Sequence, residues 1–146
     1  MRQAKRPRSP SSFTSLTRST ARVSSAVKTV ADLASDRKAL DIVVLDLART
    51  PEAAPVTDYF VICTGRSDIH VHAICDRVVE GMKHRGRTLL SSEGVERGQW
   101  ALLDYGDLVV HVFQENVRKH YDLERLWAHA PRWTYREGSD IDERPA

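Results

Sequence analysis

The stretch from Trp100 to Trp127, WALLDYGDLVVHVFQENVRKHYDLERLW, limits the fold more than any other part of the chain. Two apolar runs flank Tyr105-Gly106-Asp107-Leu108. A two-residue loop with Gly first closes a hairpin, and the turn then sets the register. Leu108 pairs with Tyr105, Val109 with Asp104, Val110 with Leu103, His111 with Leu102 and Phe113 with Trp100; a longer loop would shift every pair. One face carries Ala101, Leu103, Tyr105, Leu108, Val110 and Val112, the natural core face. The other carries Trp100, Leu102, Asp104, Val109, His111 and Phe113. Its mixture of aromatic, aliphatic and ionisable groups suits a partner-binding surface. The competing reading is a sheet covered on both sides by helices, with Asp104 and His111 near an edge.

Upstream, Ser24 or Ser25 can cap a first helix with the stripe Val27, Val30, Ala31 and Ala34. Ile42 to Leu47 is a nearly continuous apolar run, as expected of a strand buried on both faces. Ala48 to Val56, with Pro51 and Pro55, reads as a connector. Tyr59 to Thr64 is a second strand. Gly65 then turns the chain into a helix from Asp68 to His84, capped by Ser67, with Val71, Cys75, Val78 and Met82 inward. Gly86 helps end that helix. Leu89 and Leu90 begin a short strand before a Glu93-Gly94 turn, and Gly98 precedes the hairpin. Gln114 to Trp127 is expected as one final helix. Tyr121, Leu123, Leu126 and Trp127 lie near its end, Leu123 and Leu126 as packing residues. Glu124 can pair near Arg125 or with Arg118, six residues back. The order predicts an α/β (α+β) domain, a mixed sheet flanked by helices.

A chain of 146 residues is one domain with extensions, large enough for a true core. No apolar run reaches transmembrane length, and no secretory leader is recognisable. Cys63 and Cys75 lack a CxxC spacing, so reduced core thiols in a cytosolic compartment are the expectation. The net charge of +2 conceals an asymmetry, because residues 1–31 hold seven basic side chains and no acid. With 22 basic and 20 acidic groups in all, residues 32–146 net 15 − 20 = −5. An acidic domain argues against a general nucleic-acid binder. Residues 1–23 are read as a disordered basic extension, 24–131 as the domain and 132–146 as a flexible acidic tail. Three readings compete for the head: an arm touching RNA through phosphates, an organelle transit peptide, or an overlong start. Pro7 and Pro10 interrupt an amphipathic helix there and favour the arm.

Sites for chemistry are scarce. His70 and His72 stand two apart on a helix and do not share a face for a metal. His111 has no Cys or second His at motif spacing, and lone histidines are mostly structural or interface residues. No GxSxG, phosphate loop with Lys or HExxH occurs, so nothing calls for a cofactor or a metal.

KALDIVVLDL (Lys38 to Leu47), TDYFVICTGRS (Thr57 to Ser67), AICDRV (Ala73 to Val78), SEG (Ser92 to Gly94), W-x-LLDYGD-x-VVH and YDLE-x-LW follow one another in order. In this series, from about Lys38 to Pro131, the chain closely resembles the ribosomal silencing factor family, also called RsfS or Iojap-like. The resemblance implies a nucleotidyltransferase-like fold. Thr64-Gly65-Arg66-Ser67 stands where such a transferase keeps a Gly-Ser phosphate loop. The paired carboxylates for two metal ions do not follow on a strand, since Asp104 and Asp107 flank the hairpin turn. The Gly-Ser turn is therefore read as a helix cap and the chain as a non-enzyme. A nucleotidyltransferase-like enzyme remains a lesser alternative.

The resemblance also implies a partner. Members bind the fourteenth protein of the large ribosomal subunit, block joining with the small subunit, and repress translation when nutrients are scarce. Candidate contacts are Trp100, Leu102, Asp104 and His111, with Tyr105, Tyr121, Glu124 and Trp127 beside them. Family members also form homodimers when free. The alternative role is large-subunit assembly, as in organellar relatives. The expected location is cytoplasmic, or mitochondrial or plastid if residues 1–31 are a transit peptide.

Overall fold

The computed structural model describes residues 24–49, 57–136 and 142–143. The elements run α1 (Ser25–Asp36), β1 (Leu40–Asp46), β2 (Tyr59–Gly65), α2 (Asp68–His84), β3 (Ser91–Glu93), β4 (Trp100–Asp104) and β5 (Leu108–Gln114). Then follow α3 (Glu115–Tyr121), α4 (Leu123–Leu126), β6 (Arg132–Thr134) and β7 (Asp142–Glu143). The strands form one mixed sheet in the order β3-β4-β5-β2-β1-β6-β7. Only β2 and β5 pair in parallel.

Both long helices start where a hydroxyl can accept an otherwise orphaned amide. Ser24 Oγ accepts from the Val27 N–H at 3.3 Å and Ser67 Oγ from the His70 N–H at 3.1 Å. Asp68 in the first turn of α2, and Lys83 and His84 in its last, complement the helix dipole. Gly86 takes the left-handed backbone that closes the helix, with φ +79°. The expected stripes are buried: Val27, Val30, Ala31 and Ala34 on α1, and Val71, Cys75, Val78 and Met82 on α2. Gly81 lets the two helices approach closely, since a Cβ there would collide with Leu33.

The hairpin forms in the expected register, with Trp100 opposite Phe113, Leu102 opposite His111 and Asp104 opposite Val109. Tyr105 N–H donates to the Leu108 carbonyl at 2.9 Å, closing the two-residue loop. Gly106 supplies φ +90°, and Asp104 Oδ1 accepts its N–H at 2.8 Å.

The sheet carries apolar cover on both faces. On one, α1 and α2 enclose a core with Val44, Val61, Cys63, Leu103, Leu108, Val110 and Val112. On the other lies a smaller cluster of Val43, Leu45, Leu47, Phe60, Ile62, Val109, Phe113 and Ala130. Val117, Leu123 and Trp127 pack against it from the chain after β5. The two readings of the second hairpin face thus divide along its length. Val109, His111 and Phe113 are buried, while Trp100, Leu102 and Asp104 remain half-buried.

Three expectations need correction. The short strand begins at Ser91 rather than Leu89, although Leu90 N–H already donates to the Asp104 carbonyl at 2.9 Å. The single helix Gln114–Trp127 is two helices, broken at Asp122, whose φ of 47° and ψ of 58° are left-handed. Nor is the chain from Arg132 onward simply a tail. Arg132, Trp133 and Thr134 pair with Leu45, Val44 and Val43 of β1, and Trp133 and Tyr135 are buried. Without β6, β1 would be an open edge. The head 1–23 and most of the connector, 50–56, lie outside the described residues.

Candidate functional site

Register and the alternation of side chains place Trp100, Leu102 and Asp104 on the same face of β4, directly opposite Phe113, His111 and Val109 of β5. Trp100 is the hub. Its ring stacks on Phe113 at 4.8 Å between centroids and meets Tyr121 at 4.7 Å. Its indole N–H donates to Nδ1 of His111 at 3.1 Å. His111 stands edge-on to Phe60 at 4.5 Å, and Phe60 in turn meets Trp127 at 6.3 Å. A continuous aromatic layer therefore crosses β4, β5 and β2, from Tyr121 at one end to Trp127 at the other.

The layer is buried in the middle and open at its ends. Tyr121 is 53% exposed and Leu126 68%, Trp127 and Leu102 are half-buried, and His111 is only 4% exposed. Burial lowers the His111 pKa to about 4, because an imidazolium there would lose its water. Since Nδ1 accepts the indole proton, the neutral ring carries its own proton on Nε2. That N–H has no hydrogen-bond partner among the described residues. His111 thus lies beneath the layer and supports Trp100 from within.

Polar groups hold the chain that flanks this layer. Arg118 from α3 presents a fork to Glu124 from α4, with Nε to Oε1 at 3.0 Å and Nη2 to Oε2 at 3.1 Å. Arg118 Nη1 also donates to Thr64 Oγ1 of β2 at 2.8 Å, and Arg132 Nη2 of β6 donates to Glu124 Oε2 at 3.1 Å. Of the two pairings open to Glu124, the one with Arg118 is present, and it makes Glu124 an internal link. The roles of Thr64 and Phe60 were not legible beforehand, because they depend on contacts far along the chain.

The remaining candidates fall elsewhere. Tyr105 is buried on the opposite face of the sheet, within the α1–α2 core. Asp104 faces its own turn, whereas Asp107 pairs with Arg87, so the two carboxylates do not converge. At the Gly65 turn three backbone donors are already taken. Arg66 N–H donates to His70 Nδ1 at 2.8 Å, Ile69 N–H to Asp68 Oδ1 at 2.9 Å, and His70 N–H to Ser67 Oγ. A helix cap describes this turn better than a phosphate cradle. Among the described residues no cluster of three His, Cys, Asp or Glu side chains could hold a metal, and no helix is long and apolar enough to cross a membrane.

Comparison with known proteins gives a consistent result. The sequence profile described as "Ribosomal silencing factor during starvation" matches residues 20–146. The chain is 39% identical over 107 residues to the ribosomal silencing factor RsfS of Bacillus subtilis, covering 73% of this chain and 88% of that one. A mouse protein named "Mitochondrial assembly of ribosomal large subunit protein 1" is 35% identical over 98 residues, 65% of this chain and 42% of its own length. Among solved structures, a crystal structure of a Chromobacterium violaceum protein superposes with a TM-score of 0.69 at 33% identity, over 74% of this chain and 88% of that one.

Proposed function

The chain belongs to the ribosomal silencing factor family, and on that premise we propose that it docks on the large ribosomal subunit, at its fourteenth protein, and blocks joining with the small subunit when nutrients are scarce. Translation is repressed by occupancy of a surface, with no chemical step. The observation that carries this reading is the aromatic layer ending in the exposed Tyr121 and half-buried Trp100, Leu102 and Trp127. Aromatic groups held rigidly at a surface bury large area at little entropic cost, which suits them as interface anchors. The excess of acid over residues 32–146 complements a basic ribosomal protein and would speed encounter. An ordinary specific interface needs about 800 Å² per partner, within reach of a domain of this size. The bacterial relatives favour a cytoplasmic site of action.

Cosedimentation with purified large subunits tests the reading. Tyr121→Ala is the cleaner variant, because its ring is exposed and touches Trp100 and His120 only at their faces and edges. We expect it, and Trp100→Ala, to weaken binding by about 2 kcal/mol or more, the scale of interface anchors. Undiminished cosedimentation of the folded Tyr121→Ala variant would contradict the assignment. A second reading, assistance to large-subunit assembly, draws on the name of the mouse relative. It uses the same surface and predicts preferential binding to immature subunits.

A further inference from the structure

We propose that Arg118 and Glu124 are positioning residues: a partly buried clasp between them fixes the break at Asp122 and thereby sets where Tyr121 and Trp127 stand for docking. The inference rests on the docking reading above. Its basis is the weak independent hold of this segment. Helix α3 has seven residues and α4 four, and neither contains a fully buried side chain. Helices so short do not persist by propensity alone. Between them Asp122 adopts a left-handed conformation that a residue with a Cβ resists.

The clasp requires that break. In a continuous α-helix, residues six apart stand about 120° apart around the axis and roughly 9 Å along it, a poor placement for a two-pronged ion pair. The turn at Asp122 folds Glu124 back so that both its oxygens meet the Arg118 fork. The same two side chains reach the sheet through Thr64 of β2 and Arg132 of β6. Both are largely shielded from water, with side-chain exposures of 11% for Arg118 and 16% for Glu124. An arginine fork on a carboxylate specifies direction as well as distance. Tyr121 immediately precedes the break and rests on Trp100, whereas Trp127 ends α4 and rests on Phe60. The clasp therefore fixes both ends of the aromatic layer relative to the sheet. Lysine in place of Arg118 would keep the charge but lose the fork.

Binding of the labelled full-length protein to purified bacterial large subunits, paired with amide hydrogen exchange, tests this. Arg118→Lys and Glu124→Ala should each weaken binding at least tenfold. Amides of residues 118–127 should exchange faster while those of β2 and β5 keep their protection. Combined with Tyr121→Ala, each should cost less than it does alone, because the part of the clasp's effect that acts through that ring is already lost and only the part through Trp127 remains. Normal binding by both clasp variants, with Tyr121→Ala impaired, would overturn the positioning role and leave the docking surface intact. Losses that multiply in full with that of Tyr121→Ala would also overturn it, by showing that the clasp residues act independently of the ring they are said to position. If Glu124→Ala fails to fold, Arg118→Lys decides alone. Undiminished binding by Tyr121→Ala would instead remove the docking reading, and the positioning role with it.

Discussion

Protonating His111 would put a charge among Trp100, Phe60 and Phe113, and the folded protein resists that down to a pKa of about 4. The unfolded chain protonates the same group near its ordinary value of 6.5. As pH falls from about 6.5 towards 4, the unfolded state therefore binds the extra proton and stability drops. Buried Asp46, raised to about 6, works in the opposite sense: its contribution is present below its ordinary 3.8 and is lost as pH rises through 6. The two partly cancel, so the informative quantity is the difference between variants. His111→Gln keeps an acceptor for the indole but does not titrate, and its Tm should fall less than that of the native chain between pH 6.5 and 4. An NMR midpoint for His111 near 6.5 would contradict this account. The register was readable from Gly106-Asp107 and correctly put His111 beside Trp100. What covers the ring was not readable, because Phe60 reaches it from β2, 111 − 60 = 51 residues earlier in the chain.

Elements whose signals are local matched their reading: α1 and α2 by cap and period, the hairpin by its turn. The misread elements lack such signals. A left-handed Asp leaves no compositional mark comparable to a glycine, so nothing in HYDLE announced that α3 ends at Tyr121. Strand β6 is three residues long, too short for period-two alternation to stand out. Its weight is nonetheless large. Trp133 is 2% exposed and sits in the core shared by α1 and α2. Trp133→Ala should cost about 3–5 kcal/mol, the usual range for emptying a buried aromatic site. Truncation after Pro131 should cost at least as much, since it also bares the edge of β1. A denaturation midpoint unchanged by either would show that residues 132–135 are dispensable to the fold.

At the scale of the molecule, the two faces of the sheet are unequal. The side beneath α1 and α2 is fully enclosed and supplies most of the core. The other is only partly roofed by two short helices and ends in the exposed Tyr121 and the half-buried Trp127. The motif series placed the chain in its family before any fold was known, whereas the division of the second face into covered and open parts required coordinates. The central claim is that docking by this surface excludes the small subunit. Light scattering during the mixing of purified large and small subunits tests it most directly. With the large subunit saturated by native protein, the joined signal should fall in proportion to occupancy, and Tyr121→Ala at the same concentration should restore it. Full joining of large subunits that carry the native protein would contradict the claim.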